Sequence, residues 1–195
     1  MEKILQNLPK NIPCQKRGIV QQFDAQSDCG LRNIMVATDP PYYDNIGYAD
    51  LSDYFYIWLR HCLKETYPDV LSTMLVPKKE ELIATPYRFE GGMSEAKAFF
   101  ESGMLSACKQ ICQYTSPDYP VTIFYAFKQS DTEKVGSETK TASSGWETML
   151  SAIINSGMMI TGTWPMHTER ETGLKAHVNA LASSIVLVCR KRNAD

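Results

Sequence analysis

Apolar and polar positions along the chain form a pattern that predicts strands alternating with helices. A short strand is expected at residues 18–25, ending at the acid Asp24. Near-continuous apolar runs, typical of strands in a buried parallel sheet, predict four more strands. They lie at residues 34–38, 121–127, 158–164 and 184–189.

Three segments carry apolar residues at the spacing of one helix face. We expect Asp50 to cap a helix that runs to about residue 65, and Ser94 to cap a second helix over residues 95–114. A third helix starts at Ser144 or Gly145 and stops at Gly157, which suits a left-handed terminating residue. Apolar residues expected to face the core are Leu51, Tyr54, Phe55, Trp58, Leu59, Cys62 and Leu63 in the first helix, Phe99, Phe100, Leu105, Cys108, Ile111 and Cys112 in the second, and Trp146, Met149, Leu150, Ile153 and Ile154 in the third.

This order predicts an α/β fold whose mostly parallel sheet of about five strands has helices on both faces. No helix separates the last two strands, so they are expected to pair antiparallel. Residues 1–17 form a loose lead-in to a domain over 18–192. Residues 69–92 lack clean periodicity and are interpreted as an insertion or long loop, whereas the polar residues 129–144 are interpreted as a mobile loop.

Composition narrows the class of protein. With 195 residues, 44% hydrophobic and 22% charged, the chain suits one globular domain, and its net charge of -2 supplies no global attraction for nucleic acid. The six cysteines form no CxxC pair and the three histidines are scattered, so we expect no metal site. Without a recognisable signal peptide or membrane span, free thiols favour a cytoplasmic location.

The tetrapeptide Asp39-Pro40-Pro41-Tyr42 follows the second predicted strand and carries the candidate catalytic chemistry. The Asp39 carboxylate and the Pro40 carbonyl can each accept one hydrogen bond from an exocyclic NH2 group. Tyr42 offers a ring on which a planar base can stack. With both protons held, the nitrogen lone pair is freed to attack an electrophilic methyl group, which requires only positioning and electrostatics.

This motif resembles the (Asp/Asn/Ser)-Pro-Pro-(Tyr/Phe/Trp) signature of S-adenosylmethionine-dependent amino-methyltransferases. The resemblance is to the large adenine-specific DNA methylases that carry a zinc ribbon, although no ribbon is visible here. It spans most of residues 18–192, in blocks that follow the family order. These are residues 38–53 (TDPPYYDNIGYADLSD), 122–129 (TIFYAFKQ), 145–148 (GWET), 162–169 (GTWPMHTE) and 179–190 (NALASSIVLVCR).

The resemblance implies part of a class I methyltransferase-like Rossmann fold with an antiparallel last strand. It implies methyl transfer from S-adenosylmethionine to the amino group of a DNA base, N6 of adenine or else N4 of cytosine, after the base is flipped from the duplex. Asp24 and Ala25 match the third-strand end, where an acid and its neighbour meet the cofactor adenine. Residues implied or positioned to bind substrate are Tyr43, Asn45, Trp164, Thr168 and Glu169.

One expected feature is missing from the sequence. The family holds the methionine part of its cofactor on a glycine-rich turn after the first strand, and no such turn occurs here. We therefore expect a chain that starts near the third strand, with an open sheet edge covered by a completing segment or chain, or by self-association. Two alternatives stay open: a non-catalytic remnant or interaction module, and a protein-glutamine methyltransferase, which uses Asn-Pro-Pro-Tyr on a side-chain amide.

Overall fold

The computed structural model describes residues 18–43, 46–127, 132–135, 138–141, 144–166 and 183–192. These residues contain three α-helices and one short 3₁₀ helix, Pro86–Arg88, together with six strands. The helices are α1 (Tyr48–Leu63), α2 (Gly92–Tyr114) and α3 (Ser144–Asn155). The strands are β1 (Ala37–Thr38), β2 (Val121–Phe127), β3 (Thr132–Val135), β4 (Glu138–Thr141), β5 (Met158–Met166) and β6 (Ser183–Lys191).

Four strands form a mixed sheet in the order β1-β2-β6-β5. Strand β1 is parallel to β2, whereas β6 is antiparallel to both β2 and β5. The α/β class and the antiparallel pairing of the last two strands are therefore confirmed. Because β6 lies between β2 and β5, those two strands run in the same direction, and β1 occupies one edge of the sheet.

The predicted first strand is wrong. Residues 18–25 form no strand, and the side chains of Ile19 and Val20 are almost fully exposed. An extended segment becomes a strand only when a neighbour satisfies its backbone groups, and no strand of the described chain pairs with these residues. The main sheet therefore has four described strands instead of about five.

The core lies on one face of the sheet, under α2 and α3. In β2, alternate residues Val121, Ile123 and Tyr125 are buried, whereas Phe124 on the opposite face is 43% exposed. Phe100 of α2 and Met149 of α3 join the buried β2 residues in a single cluster. Helices on both faces were predicted, but in the described part of the chain α2 and α3 cover one face, and α1 packs elsewhere.

Helix α1 turns its predicted core face to solvent. It packs on residues 73–88 through a polar side: the Tyr56 hydroxyl bonds to Thr73, and Asp53 accepts hydrogen bonds from Val76 N–H and Lys78. The apolar residues on the opposite side are exposed. The expected burial of that side is wrong, because hydrogen-bond partners on residues 73–88 decide which side docks.

Both predicted side-chain N-caps are also wrong. Helix α1 begins after Gly47, so Asp50 lies in its first turn and bonds instead to Tyr87 and Arg88. Helix α2 begins after Gly91, whose N–H donates to Oε2 of Glu95 at 2.8 Å. A glutamate reaching back from the first turn thus satisfies the N–H of the N-cap residue, as the glutamate of a capping box does.

The remaining segments differ in detail from the sequence pattern. Within the predicted loop 129–144, β3 and β4 form an antiparallel hairpin. Residues 69–92 are irregular apart from the 3₁₀ helix, yet Leu71, Ile83 and Ala84 are buried, so this insertion is packed. Gly157 has φ +91, as suits a residue that ends α3, but Ile154 is exposed rather than inward.

Candidate active site

The loop after β1 lines a cavity of about 820 Å³. Strand β1 stops at Thr38 because two prolines follow Asp39, and proline lacks the N–H that a ladder needs. Asp39, Pro40 and Pro41 all lie on the cavity wall. Asp39 is exposed, so its carboxylate is accessible to a ligand.

The cavity has an apolar interior and a charged rim. Its interior is formed by residues of α2, β2 and α3, namely Phe99, Met104, Ala107, Cys108, Ile111, Ile123 and Met149. Among the described residues, the charged groups of the lining are four acids and one cation: Asp24, Asp39, Glu80, Glu81 and Lys79. This combination of an apolar bed with a few polar groups is typical of a small-molecule site, and its charge favours a cation.

Asp24 and Ala25, predicted to meet a cofactor, lie on the wall of the same cavity. The Asp24 carboxylate is occupied locally: Oδ1 accepts the N–H of Gln26 at 2.9 Å and Oδ2 accepts the hydroxyl of Ser27 at 3.3 Å. The acid thus holds a turn as well as facing the cavity. The structure brings together two candidate groups that are separated in the sequence by an irregular polar segment.

Tyr42 lies beside the cavity rather than in its wall. Its hydroxyl donates to Oδ1 of Asp39 at 3.1 Å, and its ring meets the Tyr125 ring edge-on, with centroids 5.7 Å apart. The Tyr125 ring in turn stacks against Trp146 at 6.3 Å. Oδ2 of Asp39 accepts no hydrogen bond from the described residues.

Tyr43 anchors the loop instead of facing a substrate. It is buried, its carbonyl accepts the N–H of Ala84 at 2.8 Å, and its ring packs edge-on against Phe100 at 5.1 Å. Gly145 packs closely against the same residue, since a Cβ atom added at position 145 would lie 2.8 Å from Tyr43 Cβ. The predicted substrate role of Tyr43 is therefore corrected: its neighbours leave it a structural role.

Of the remaining predicted substrate residues, Trp164 lies in the described part of the chain, and it is not brought to the cavity. Trp164 lies on β5 with 67% of its side chain exposed, outside the cavity lining. Asn45, Thr168 and Glu169 lie outside the described residues.

Residues 76–82 form a cavity wall that the sequence did not suggest. Val76, Pro77, Lys79, Glu80, Glu81 and Leu82 all contribute to the lining. The absence of periodicity in residues 69–92 concealed this contribution. The available signal was the apolar run Leu82-Ile83-Ala84 directly after two glutamates, since the burial of Ile83 and Ala84 anchors the segment in the core.

An ion-pair network fixes this wall against α1. Arg88 donates to Glu81 Oε2 and to Asp50 Oδ2, both at 2.8 Å, while Glu81 Oε1 accepts the N–H of Ala49 at 3.0 Å. Partial burial works to lower the pKa of Arg88, but its hydrogen bonds to Asp50 and Glu81 outweigh burial and raise it. The hydrogen bond from Arg88, followed by that from Tyr87, lowers the pKa of Asp50.

Other site types find little support in the described ranges. No group of three or more His, Cys, Asp or Glu side chains in them could hold a metal ion. None of the described helices has the length and apolar character needed to cross a membrane. Comparison of the sequence with protein-family models and with curated proteins finds no match. The site is therefore interpreted from its own geometry and from the resemblance carried by the motif.

Proposed function

We propose that the chain is the catalytic-loop part of an S-adenosylmethionine-dependent amino-methyltransferase acting on a DNA base, with N6 of adenine preferred over N4 of cytosine. The observation that carries this proposal is the shared cavity. The Asp39-Pro40-Pro41 loop and the Asp24-Ala25 turn line one space of about 820 Å³, within the usual range for a ligand pocket. Strand β6, the last in the chain, is antiparallel to β5, which agrees with the antiparallel last strand of a class I methyltransferase-like fold.

The residues present fit the cofactor in part. S-adenosylmethionine carries a sulfonium and an ammonium group, and the acids Asp24, Asp39 and Glu80 outnumber the cation Lys79 in the described lining, which suits both groups. Phe23, Asp24 and Ala25 could receive its adenine end. The described lining offers no glycine-rich turn for the methionine carboxylate, so a tight site needs a further segment. When bound, the cofactor would supply an electrophilic methyl group.

The chain's own residues would position and deprotonate the amino group. Oδ2 of Asp39 and the carbonyl of Pro40 would each accept a hydrogen bond from one N–H of the amino group, which turns the nitrogen lone pair out of conjugation. Once the nitrogen becomes positive, Asp39 can take a proton and pass it to water, because its side chain is exposed. Tyr42 keeps the carboxylate oriented through its 3.1 Å hydrogen bond.

Stacking by Tyr42 on the base is a secondary part of the proposal. It requires the ring to turn from Tyr125 toward the cavity, since Tyr42 is outside the lining. Stacking is worth about 1–3 kcal/mol, which could offset much of the few kcal/mol that base flipping costs. A single-stranded substrate removes the flipping cost and is the better first test.

A non-catalytic remnant or interaction module is the second candidate. It is favoured by the missing glycine-rich turn, by the edge position of β1 and by the exposed apolar side of α1. Methyl transfer to a glutamine side chain is a third candidate. The aspartate at position 39 favours this reaction less than methyl transfer to a nucleobase.

Titration calorimetry with S-adenosylmethionine separates these classes. Heat of binding supports the methyltransferase, whereas no heat at millimolar ligand favours the non-catalytic module. Methyl transfer to a single-stranded oligonucleotide or to a glutamine peptide then identifies the substrate. Asp39→Ala should lower transfer by about 100–1000-fold, while Asp118→Ala, which removes an exposed acid from another loop, leaves it unchanged. Equal transfer by both variants would remove Asp39 from the mechanism.

A further inference from the structure

Helix α1 exposes a continuous apolar stripe. Leu51, Phe55, Trp58 and Cys62 recur at spacings of four, three and four residues, which places them on one side of the helix, with Tyr54 beside them. Tyr54, Phe55 and Trp58 are 69%, 64% and 65% exposed. Their spacing is that of a buried helix face, yet no described part of the chain covers it.

The opposite side of α1 is already occupied. Ala49 and Tyr56 are buried there, and Asp53 is tied to Lys78 by a contact of 2.6 Å. Arg88, with 13% of its side chain exposed, holds the first turn through Asp50. Because this side is fixed by hydrogen bonds and ion pairs, α1 cannot simply roll over to bury its stripe.

The chemistry of the stripe favours a protein partner. It contains no lysine or arginine, whereas nucleic acid and anionic membrane surfaces are bound through cations. The two acids of the helix are already paired, Asp50 with Arg88 and Asp53 with Lys78. Large aromatic residues without charge are typical of the centre of a protein interface.

The area offered matches what a stable dimer needs. A fully covered aromatic side chain buries about 150–250 Å², so Tyr48, Tyr54, Phe55 and Trp58 together offer about 400–600 Å² at their observed exposure. Leu51, Leu59 and Leu63 extend the face. A standard interface takes about 800 Å² from each partner, so the stripe and its aliphatic border supply most of one half.

We infer that the α1 stripe is the interface of a twofold homodimer, in which α1 packs against α1 of a second copy. A straight stripe without charge is self-complementary, and twofold dimers are the commonest symmetric assemblies. A 16-residue helix is about 24 Å long, enough for a helix pair to bury the α1 stripe over its whole length. This interface is independent of methyl transfer, and it differs from pairing through the edge strand β1.

Sedimentation equilibrium of the full chain, with matched tryptophan variants, tests this dimer. The wild type should have twice the mass of one chain. Trp58→Glu should weaken dimerisation by about thirtyfold or more, as for an interface hot spot. Trp164→Glu is the control, because Trp164 is 67% exposed but lies on β5. A monomer at all concentrations, or a dimer that only Trp164→Glu weakens, would overturn the inference.

Hydroxyl-radical footprinting of the wild type gives the same test without any variant. Raising the protein concentration should protect Trp58 from labelling and leave Trp164 labelled as before. Protection of Met35, which is exposed next to the edge strand β1, without protection of Trp58 would identify edge pairing instead and overturn the inference.

Discussion

Gly145→Ala tests whether the motif loop is held by the start of α3. Gly145 is buried, and a Cβ at this position would lie 2.8 Å from Tyr43 Cβ and 3.2 Å from the hydroxyl oxygen of Tyr125. The Tyr125 hydroxyl donates to the Gly145 carbonyl at 3.1 Å, so the two elements already touch. Tyr43 directly follows Tyr42, and any displacement of it reaches the Asp39 loop.

The magnitude follows from the distances. Non-bonded carbon atoms prefer about 3.5–4.0 Å, so the added methyl group must push Tyr43 or α3 away by more than about half an ångström. Tyr43 Cβ is one bond from the backbone and cannot yield by a rotamer change. Overpacking of this kind costs about 1–3 kcal/mol, and the better helix propensity of alanine returns at most about 1 kcal/mol. We expect a net loss of about 1–2 kcal/mol.

Urea denaturation followed by far-ultraviolet circular dichroism measures this loss. Gly162→Ala is the matched control, because the nearest atom to a Cβ there is 3.8 Å away, an ordinary contact. The control should unfold within about 0.5 kcal/mol of the wild type. A Gly145→Ala protein as stable as the wild type would refute the close packing of the loop against α3.

Three further predictions concern the cavity wall and the thiols. Arg88→Met should lower the free energy of unfolding by about 2–4 kcal/mol in urea titrations, because it leaves the largely buried Glu81 carboxylate without its partner; an unchanged value contradicts the network. The pKa of Asp50 is lower in the folded protein than its ordinary value of about 3.8, so its contribution to stability is complete above about 3.8. The contribution is lost as the pH falls through the folded pKa, which lies lower. The melting temperature of Asp50→Asn should therefore fall less steeply in acid than that of the wild type. At concentrations low enough for the protein to be monomeric, exposed Cys62 should be alkylated rapidly by iodoacetamide, whereas burial raises the pKa of Cys108 to about 12 and should leave it unmodified in mass spectra of the native protein.

Local pattern predicted the elements that the core contacts directly. Strand β2 has the predicted bounds and β6 is longer than predicted by only a few residues, because each lies between two other strands of the sheet; β5, at the end of the strand order, is also longer than predicted by only a few residues. The position of the motif at the end of β1 was also predictable, because two prolines cannot donate the backbone hydrogen bonds that would extend the strand. These features depend on residues close in sequence, so periodicity and turn chemistry suffice to predict them.

Features that depend on a choice between partners were not predictable. In α1, both the stripe around Trp58 and the side around Tyr56 could have been buried, and hydrogen bonds to a segment some 20 residues later decide between them. Residues 18–25 have strand composition but lack a pairing neighbour among the described strands. Similarly, nothing local indicated that Lys79 and Glu80 face the same cavity as Asp39.

Nucleoside mass spectrometry of DNA incubated with the protein and S-adenosylmethionine tests the central claim most directly. We expect N6-methyladenine in single-stranded DNA treated with the wild type and with Asp118→Ala. With Asp39→Ala it should fall by about 100–1000-fold, as when one transition-state hydrogen bond is removed. Methylated base at the wild-type level with Asp39→Ala, or its complete absence with the wild type, would contradict the claim that this loop grips an amino group for methylation.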